Sequence, residues 1–126
     1  MMTIEEISKL AVNYLPRSYK PLKLTFSQPY FHQSRDFIVI GNDSGTDLCV
    51  DPTNGAIYSI DDQKLLPDRF VNSGIEQLAK FIRTCESFSE NSKKEVDILM
   101  WNELKSIDPK AFSKVDNWWS IILEQS

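Results

Sequence analysis

The stretch that decides the fold is LCVDPTNGAIYSID, residues 48–61, in which two apolar runs flank a turn. Pro52 presets its own φ angle, while Asn54 and Gly55 tolerate the positive φ values that a tight hairpin demands. The apolar runs on either side have the composition of β-strands. The sequence therefore predicts a β-hairpin, whose strands are scaffold and whose loops are open to a functional role.

Further strands are predicted on both sides of this hairpin. The segment DFIVIG, residues 36–41, has four consecutive apolar residues, which is typical of a strand that is covered on both faces and is central in its sheet. Apolar and polar residues alternate in LKLTF at 22–26, which predicts a shorter strand. RFVN at 69–72 predicts one more short strand at the edge of the sheet.

A capped amphipathic helix is predicted at the start of the chain, over residues 3–15. Thr3 and Glu6 have the spacing of a capping box, in which the two side chains satisfy N–H groups of the first turn. Apolar residues then recur at helical spacing along one face. Pro16 is expected to end this helix, because proline disfavours helical backbone at the residue before it.

After residue 72 the apolar period changes from two to 3.6, which predicts a run of helices. Ser73 and Ser92 each begin a capping box with a glutamate three residues later, and Asp108 is expected to cap a further turn. Because adjacent helical residues cannot share one face, one of Trp118 and Trp119 is expected in the core and the other at its boundary. The predicted segments are 72–88, 91–107, 108–112 and 116–125.

The order of helix, strands and helices predicts a single α+β domain over residues 1–126, with a mainly antiparallel sheet and the N-terminal and C-terminal helices packed on it. A chain of 126 residues can bury a substantial core. The sequence has no run of about 20 apolar residues, and its acidic start differs from a signal peptide, so a cytoplasmic protein is expected. Cys49 and Cys85 lie in apolar runs and are expected to be buried thiols.

The acidic residues are concentrated in the middle of the chain. The formal net charge is −4, and residues 36–68 contain seven aspartates against a single base, Lys64. A direct nucleic-acid ligand would need a basic patch, so this distribution argues against one and suits a basic protein partner.

No catalytic or cofactor-binding motif stands out. His32 is the sole histidine, so any serine or cysteine triad would depend on it, and a solvated surface position is the more common role. Zinc-ligand spacing and glycine-rich phosphate loops are absent from the sequence, so no cofactor is expected. Asp43, Asp47 and Asp51 could converge on a cation or act as acid and base, but aspartate is also the residue that turns use.

The ordered pattern resembles the SUKH superfamily of bacterial immunity proteins, and most closely its fourth subfamily. The resemblance runs from Asp36 to Gln125, although a glycine at 74 replaces the small polar residue that the family pattern suggests. The segments that carry it are FIVIGNDSGTDLCVDPTNGAIYSID (37–61), FVNSGIEQLAKFI (70–82), IDPKAF (107–112) and NWWSIILEQ (117–125).

The resemblance implies a non-enzymatic protein that binds and neutralises a cognate polymorphic toxin, such as an intracellularly acting nuclease or deaminase. An acidic inhibitor suits a basic toxin domain, and the expected contacts are Asp43, Asp47, Asp61 and Asp62 at the strand ends. Two alternatives remain at this point. One is a regulatory adaptor that binds a host enzyme, and the other is a small hydrolase that uses His32.

Overall fold

The computed structural model of the chain describes the backbone of residues 1–88 and 94–124, and the side chains of these ranges apart from 94–97 and 124. Within these ranges the chain has four α-helices and six β-strands. The helices and five of the strands occur in the order predicted from the sequence, whereas the two-residue strand at Ser18–Tyr19 was not predicted. Their bounds are α1 (Ile4–Tyr14), β1 (Ser18–Tyr19), β2 (Leu24–Phe31), β3 (Ile38–Asn42), β4 (Asp47–Val50), β5 (Ile57–Ile60), β6 (Arg69–Asn72), α2 (Ile75–Phe88), α3 (Lys94–Ile107) and α4 (Trp118–Glu124), with 3₁₀-helices at Lys20–Leu22 and Pro109–Phe112.

The six strands form one antiparallel sheet in sequence order, β1-β2-β3-β4-β5-β6. The predicted hairpin is confirmed: Val50 pairs with Ile57 and Asp47 with Ile60, and Gly55 has the positive φ of 79°. Strand β3 is central and largely buried, as its apolar run predicted. The α+β fold class is therefore correct.

Helices cover one face of the sheet and enclose the main core. Trp118 and Trp119 are both buried there, so the expectation that one of them lies at a boundary is wrong. The Trp119 indole N–H donates to Asn72 Oδ1 at 2.8 Å, which lets the ring enter the core without an unsatisfied donor. A smaller apolar cluster lies apart from this core and consists of Val39, Cys49 and Ile60 with Phe37 and Tyr58.

Glycine at position 41 allows two strands to approach closely. A Cβ atom at Gly41 would lie 2.9 Å from Cδ1 of Phe26 and would also collide with the carbonyl oxygen of Thr25. Gly41 lies opposite Phe26 in the β2–β3 pair, next to an irregularity in the register. Its role is thus close strand packing rather than the turn that follows it.

The helix caps match the sequence pattern only in part. Thr3 and Glu6 form the predicted capping box. The one predicted at Ser73 is wrong, because the Ser73 N–H, which a capping box would donate to Glu76, donates to Asp108 instead. The Ser73 hydroxyl also donates to Asp108, to Oδ1 at 2.8 Å. Asp108 likewise makes no side-chain cap for its own 3₁₀-helix. Asp108 Oδ2 accepts hydrogen bonds from Asn72 Nδ2 and from the Ser73 N–H. The capping box predicted at Ser92 lies outside the described residues.

Candidate functional site

Two loops meet beside the open end of the β4–β5 hairpin and carry the four aspartates that the sequence singled out. One loop joins β3 to β4, and the other follows β5; the pairing of Asp47 with Ile60 brings them together. Between them is a concavity of about 470 Å³, here called the acidic concavity. Its lining residues are Asn42, Ser44, Gly45, Thr46, Asp47, Asp61, Asp62 and Gln63.

Asp43 organises the first loop and is fully engaged within the fold. Its Oδ1 accepts hydrogen bonds from the N–H groups of Gly45 and Thr46, at 3.0 and 2.6 Å, and from the Thr46 hydroxyl at 3.0 Å. Its Oδ2 accepts the indole N–H of Trp118 at 2.8 Å. Asp43 therefore ties the last helix to the loop, a contact that local sequence patterns give no signal for.

Asp61 has the same kind of role in the second loop. Its Oδ1 accepts the Gln63 N–H at 3.0 Å, and its Oδ2 accepts the N–H groups of Leu65 and Leu66 at 3.2 and 3.1 Å. Both oxygens thus hold the backbone that follows β5. Asp43 and Asp61 shape the acidic concavity, while their acceptor capacity is largely used inside the protein.

Asp47 and Asp62 lie together with His32, which the loop after β2 brings to this site. The His32 Nε2 atom lies 2.8 Å from Asp62 Oδ1, and the His32 side chain is only 7% exposed. The expectation of a solvated surface histidine is therefore wrong. The Asp62 side chain, by contrast, is 61% exposed.

Hydrogen bonds define the tautomer of the neutral His32 ring. Its Nδ1 accepts the backbone N–H groups of Ser34 and Arg35, at 3.2 and 3.1 Å. Nδ1 must therefore carry the lone pair, and in the neutral ring the proton is on Nε2, where it is donated to Asp62. This tautomer makes His32 an anchor that positions the Asp62 carboxylate.

The two carboxyl groups beside His32 differ in their proton affinity. Burial, together with a hydrogen bond to Asp62, raises the pKa of Asp47 to about 6. The hydrogen bond from Asp47, followed by that from His32, lowers the pKa of Asp62. The pair therefore carries its full negative charge only above about pH 6, and Asp62 retains its charge as the pH falls.

The ligand-like atoms of this cluster are close enough to consider a metal site. One atom each from His32, Asp47 and Asp62 lies within 4.8 Å of the others. A metal would need the lone pair of Nε2, yet Nδ1 already accepts two N–H groups, and a neutral imidazole has only one unprotonated nitrogen. His32 is therefore not available as a ligand, which leaves only the two carboxyl groups of this cluster for a cation.

The third aspartate of the possible cation site lies elsewhere. Asp51 follows the opposite end of β4 from Asp47, and its Oδ1 accepts from the N–H and the hydroxyl of Thr53, at 2.9 and 2.6 Å. Asp43, Asp47 and Asp51 thus do not converge.

A role for His32 as a general base is disfavoured for the same reason as a role as a metal ligand. The unprotonated nitrogen of its ring, Nδ1, already accepts two hydrogen bonds.

Comparisons with known proteins add a finding that geometry does not supply. The family model described as SUKH-4 immunity protein matches residues 16–125, which is most of the chain. No curated protein and no solved structure matches it. No helix in the described part of the chain is long and apolar enough to cross a membrane.

Proposed function

Because the chain belongs to the SUKH-4 immunity protein family, we propose that it binds a cognate polymorphic toxin and neutralises it by direct protein–protein contact. The family match over residues 16–125 is the observation that carries this proposal. The toxin is an intracellularly acting enzyme, such as a nuclease or a deaminase. The immunity protein acts in the cytoplasm of the bacterium that makes the toxin, without catalysing a reaction of its own.

The acidic concavity is the surface proposed to meet a basic toxin domain. Asp62 is the best-placed contact, because its carboxylate is exposed and is held in one orientation by His32. Asp47 lies beside it and adds charge above about pH 6. Asp43 and Asp61 contribute mainly by holding the two loops in shape.

Charge complementarity of this kind acts first on the rate of association. A negatively charged concavity attracts a basic partner over several ångströms and can raise the association rate constant to roughly 10⁸–10⁹ M⁻¹ s⁻¹ at low salt. Rapid capture suits an inhibitor that has to bind a toxin before the toxin reaches its substrate. The engaged ring of His32 is consistent with this role, because it leaves no free base beside the aspartates.

The proposal is tested by affinity capture with the tagged full chain as bait. Lysate and secreted protein from the source cells are passed over the bait, and bound proteins are identified by mass spectrometry. The expected result is stoichiometric recovery of the C-terminal domain of a large secreted protein. Recovery of a housekeeping enzyme instead would contradict immunity and favour the adaptor role.

The contact surface is tested separately, with the captured toxin domain. The double variant Asp47→Asn and Asp62→Asn removes two charges from the acidic concavity while leaving the loop-forming Asp43 and Asp61 intact. Its matched control, Glu76→Gln with Glu103→Gln, removes two exposed charges from the helices α2 and α3.

Only the double variant in the acidic concavity should slow association and flatten its dependence on salt, because steering depends on charge near the contact. Equal association rates in the two double variants would exclude the acidic concavity as the contact and leave the immunity role standing.

A further inference from the structure

A small basic pocket lies between β6 and the segment that joins α3 to α4. It has a volume of about 230 Å³. Its positive lining side chains are Arg69 from β6 and Lys110 and Lys114 from the segment before α4. These three residues, with Asn117, define what is here called the basic pocket.

The charge of this pocket is opposite to that of the whole chain. Two aspartates also line it, but Asp68 is paired with Arg35, whose Nη2 lies 2.6 Å from Asp68 Oδ2. Asp116 is then the one carboxylate left to oppose three cations among the lining residues. About two positive charges therefore remain uncompensated in a chain whose formal net charge is −4.

Arg69 supplies the observation that points to a ligand. Its Nε atom is buried and has no hydrogen-bond partner in the described part of the protein. A buried N–H that has left water without gaining an acceptor is unfavourable, and guanidinium groups bind oxyanions with paired N–H groups. The Arg69 guanidinium also makes no ion pair with a carboxylate of the described residues. An oxyanion in the pocket would give this guanidinium a charged partner.

The surrounding residues hold the pocket in a fixed shape. The Lys110 Nζ atom lies over the Phe70 ring, 5.4 Å from its centroid, so that a cation–π contact restrains the side chain. Asn117 Nδ2 donates to the Lys110 carbonyl at 3.2 Å and to Ser113 Oγ at 3.4 Å. Hydrogen bonds within residues 110–117 therefore hold this wall of the pocket in one conformation.

We propose that the basic pocket binds one phosphoryl group, either free phosphate or a phosphomonoester. Two uncompensated positive charges match a dianionic phosphoryl group better than a single carboxylate, which would leave one positive charge unbalanced. The volume is below the roughly 300–1,000 Å³ of sites for drug-sized ligands, which suits a small group. The site goes beyond the proposed immunity role and does not depend on it.

The test is a titration of the ¹⁵N-labelled full chain, followed by NMR, with phosphate as the probe. Chloride at equal ionic strength and acetate serve as comparison anions, and glycerol 3-phosphate serves as the phosphomonoester. The expected result is saturable shifts at residues 69–70 and 110–117 with the two phosphoryl ligands. Tighter binding of the ester identifies a phosphomonoester as the ligand, and equal binding identifies free phosphate.

Three variants test whether phosphate binds in the basic pocket. Arg69→Met should weaken phosphate binding by about tenfold or more, since a charge-assisted hydrogen bond is lost. Lys114→Met should weaken it several-fold and serves as the readout if Arg69→Met does not fold. The control Arg83→Met removes an exposed positive charge from α2 and should leave binding unchanged.

Three results would overturn the proposal. Chloride could produce the same shifts as phosphate, which would indicate general screening. Acetate could bind as tightly as phosphate, which would indicate a carboxylate site. Both pocket variants could behave like Arg83→Met, which would place any phosphate binding elsewhere.

Discussion

Replacing Asp47 with asparagine should stabilise the protein at neutral pH. Burial and the neighbouring Asp62 raise the pKa of Asp47 from 3.8 to about 6, so the folded protein ionises this group at a cost. Asparagine has nearly the same shape and no charge, and its amide N–H can donate to the Asp62 carboxylate as the protonated acid does. The substitution therefore keeps the hydrogen bond and removes the unfavourable charge.

The size of the effect follows from the shift in pKa. A rise from 3.8 to about 6 corresponds to an upper bound of about 3 kcal/mol at roughly 1.4 kcal/mol per pKa unit. Asp47 is only half-buried, and solvent screening reduces the expected gain in unfolding free energy to about 1 kcal/mol.

The sign of the pH dependence is fixed, because the folded state binds the Asp47 proton more tightly than the unfolded state does. The contribution of Asp47 to the unfolding free energy of the wild type is fully present below pH 3.8 and is lost as the pH rises through about 6.

The assay is urea unfolding followed by tryptophan fluorescence, at about pH 8 and about pH 4. Asp47→Asn should unfold at higher urea than the wild type at the higher pH and at nearly the same urea at the lower pH. Asp36→Asn, at an exposed position, is the matched control and should show neither effect. A loss of stability in Asp47→Asn at the higher pH, or an equal gain at both pH values, would refute the reasoning.

Three further predictions concern the core and the loops. Asp108→Ala leaves three donors without their acceptor and should lower the unfolding free energy by about 3 kcal/mol in urea titrations. Gly41→Ala should cost about 2 kcal/mol in the same assay, because its new Cβ atom would collide with the neighbouring strand, whereas Gly45→Ala should change stability by less than about 0.5 kcal/mol. Cys49 and Cys85, whose pKa values burial raises to about 12 and about 11, should resist a thiol reagent at about pH 8 in the folded protein and react in urea.

Most of the fold follows from local features of the sequence. The hairpin at residues 48–61 is specified by turn residues and flanking apolar runs that lie within a few positions of each other. Since every strand pairs with its neighbour in the chain, no long-range crossover had to be inferred. The α2 helix also follows, because a 3.6-residue apolar period predicts a buried face wherever it occurs.

The errors arise where a distant charged group outcompetes a local partner. Ser73 has the sequence context of a helix cap, yet its hydroxyl bonds Asp108, which is 35 positions away. A buried carboxylate needs several donors to offset its desolvation, so Asp108 accepts the Ser73 N–H that the exposed Glu76 would accept in a capping box. Asp43, which is half-buried, likewise accepts the indole N–H of Trp118, 75 positions away. Hydrogen bonds between residues so far apart in the sequence cannot be predicted from a periodic pattern.

The same distinction between local and distant contacts explains why only one of the two charged surfaces could be expected from the sequence. The acidic concavity is built from residues 42–47 and 61–63, so counting aspartates along the chain already indicated it. The basic pocket joins Arg69 to Lys110, and neither lies in a strongly basic segment. A net charge of −4 suggests that phosphate would be repelled. In about 0.1 M salt, however, charges beyond roughly 10 Å are largely screened, so the local charge of the basic pocket, rather than the net charge of the chain, should decide whether phosphate binds.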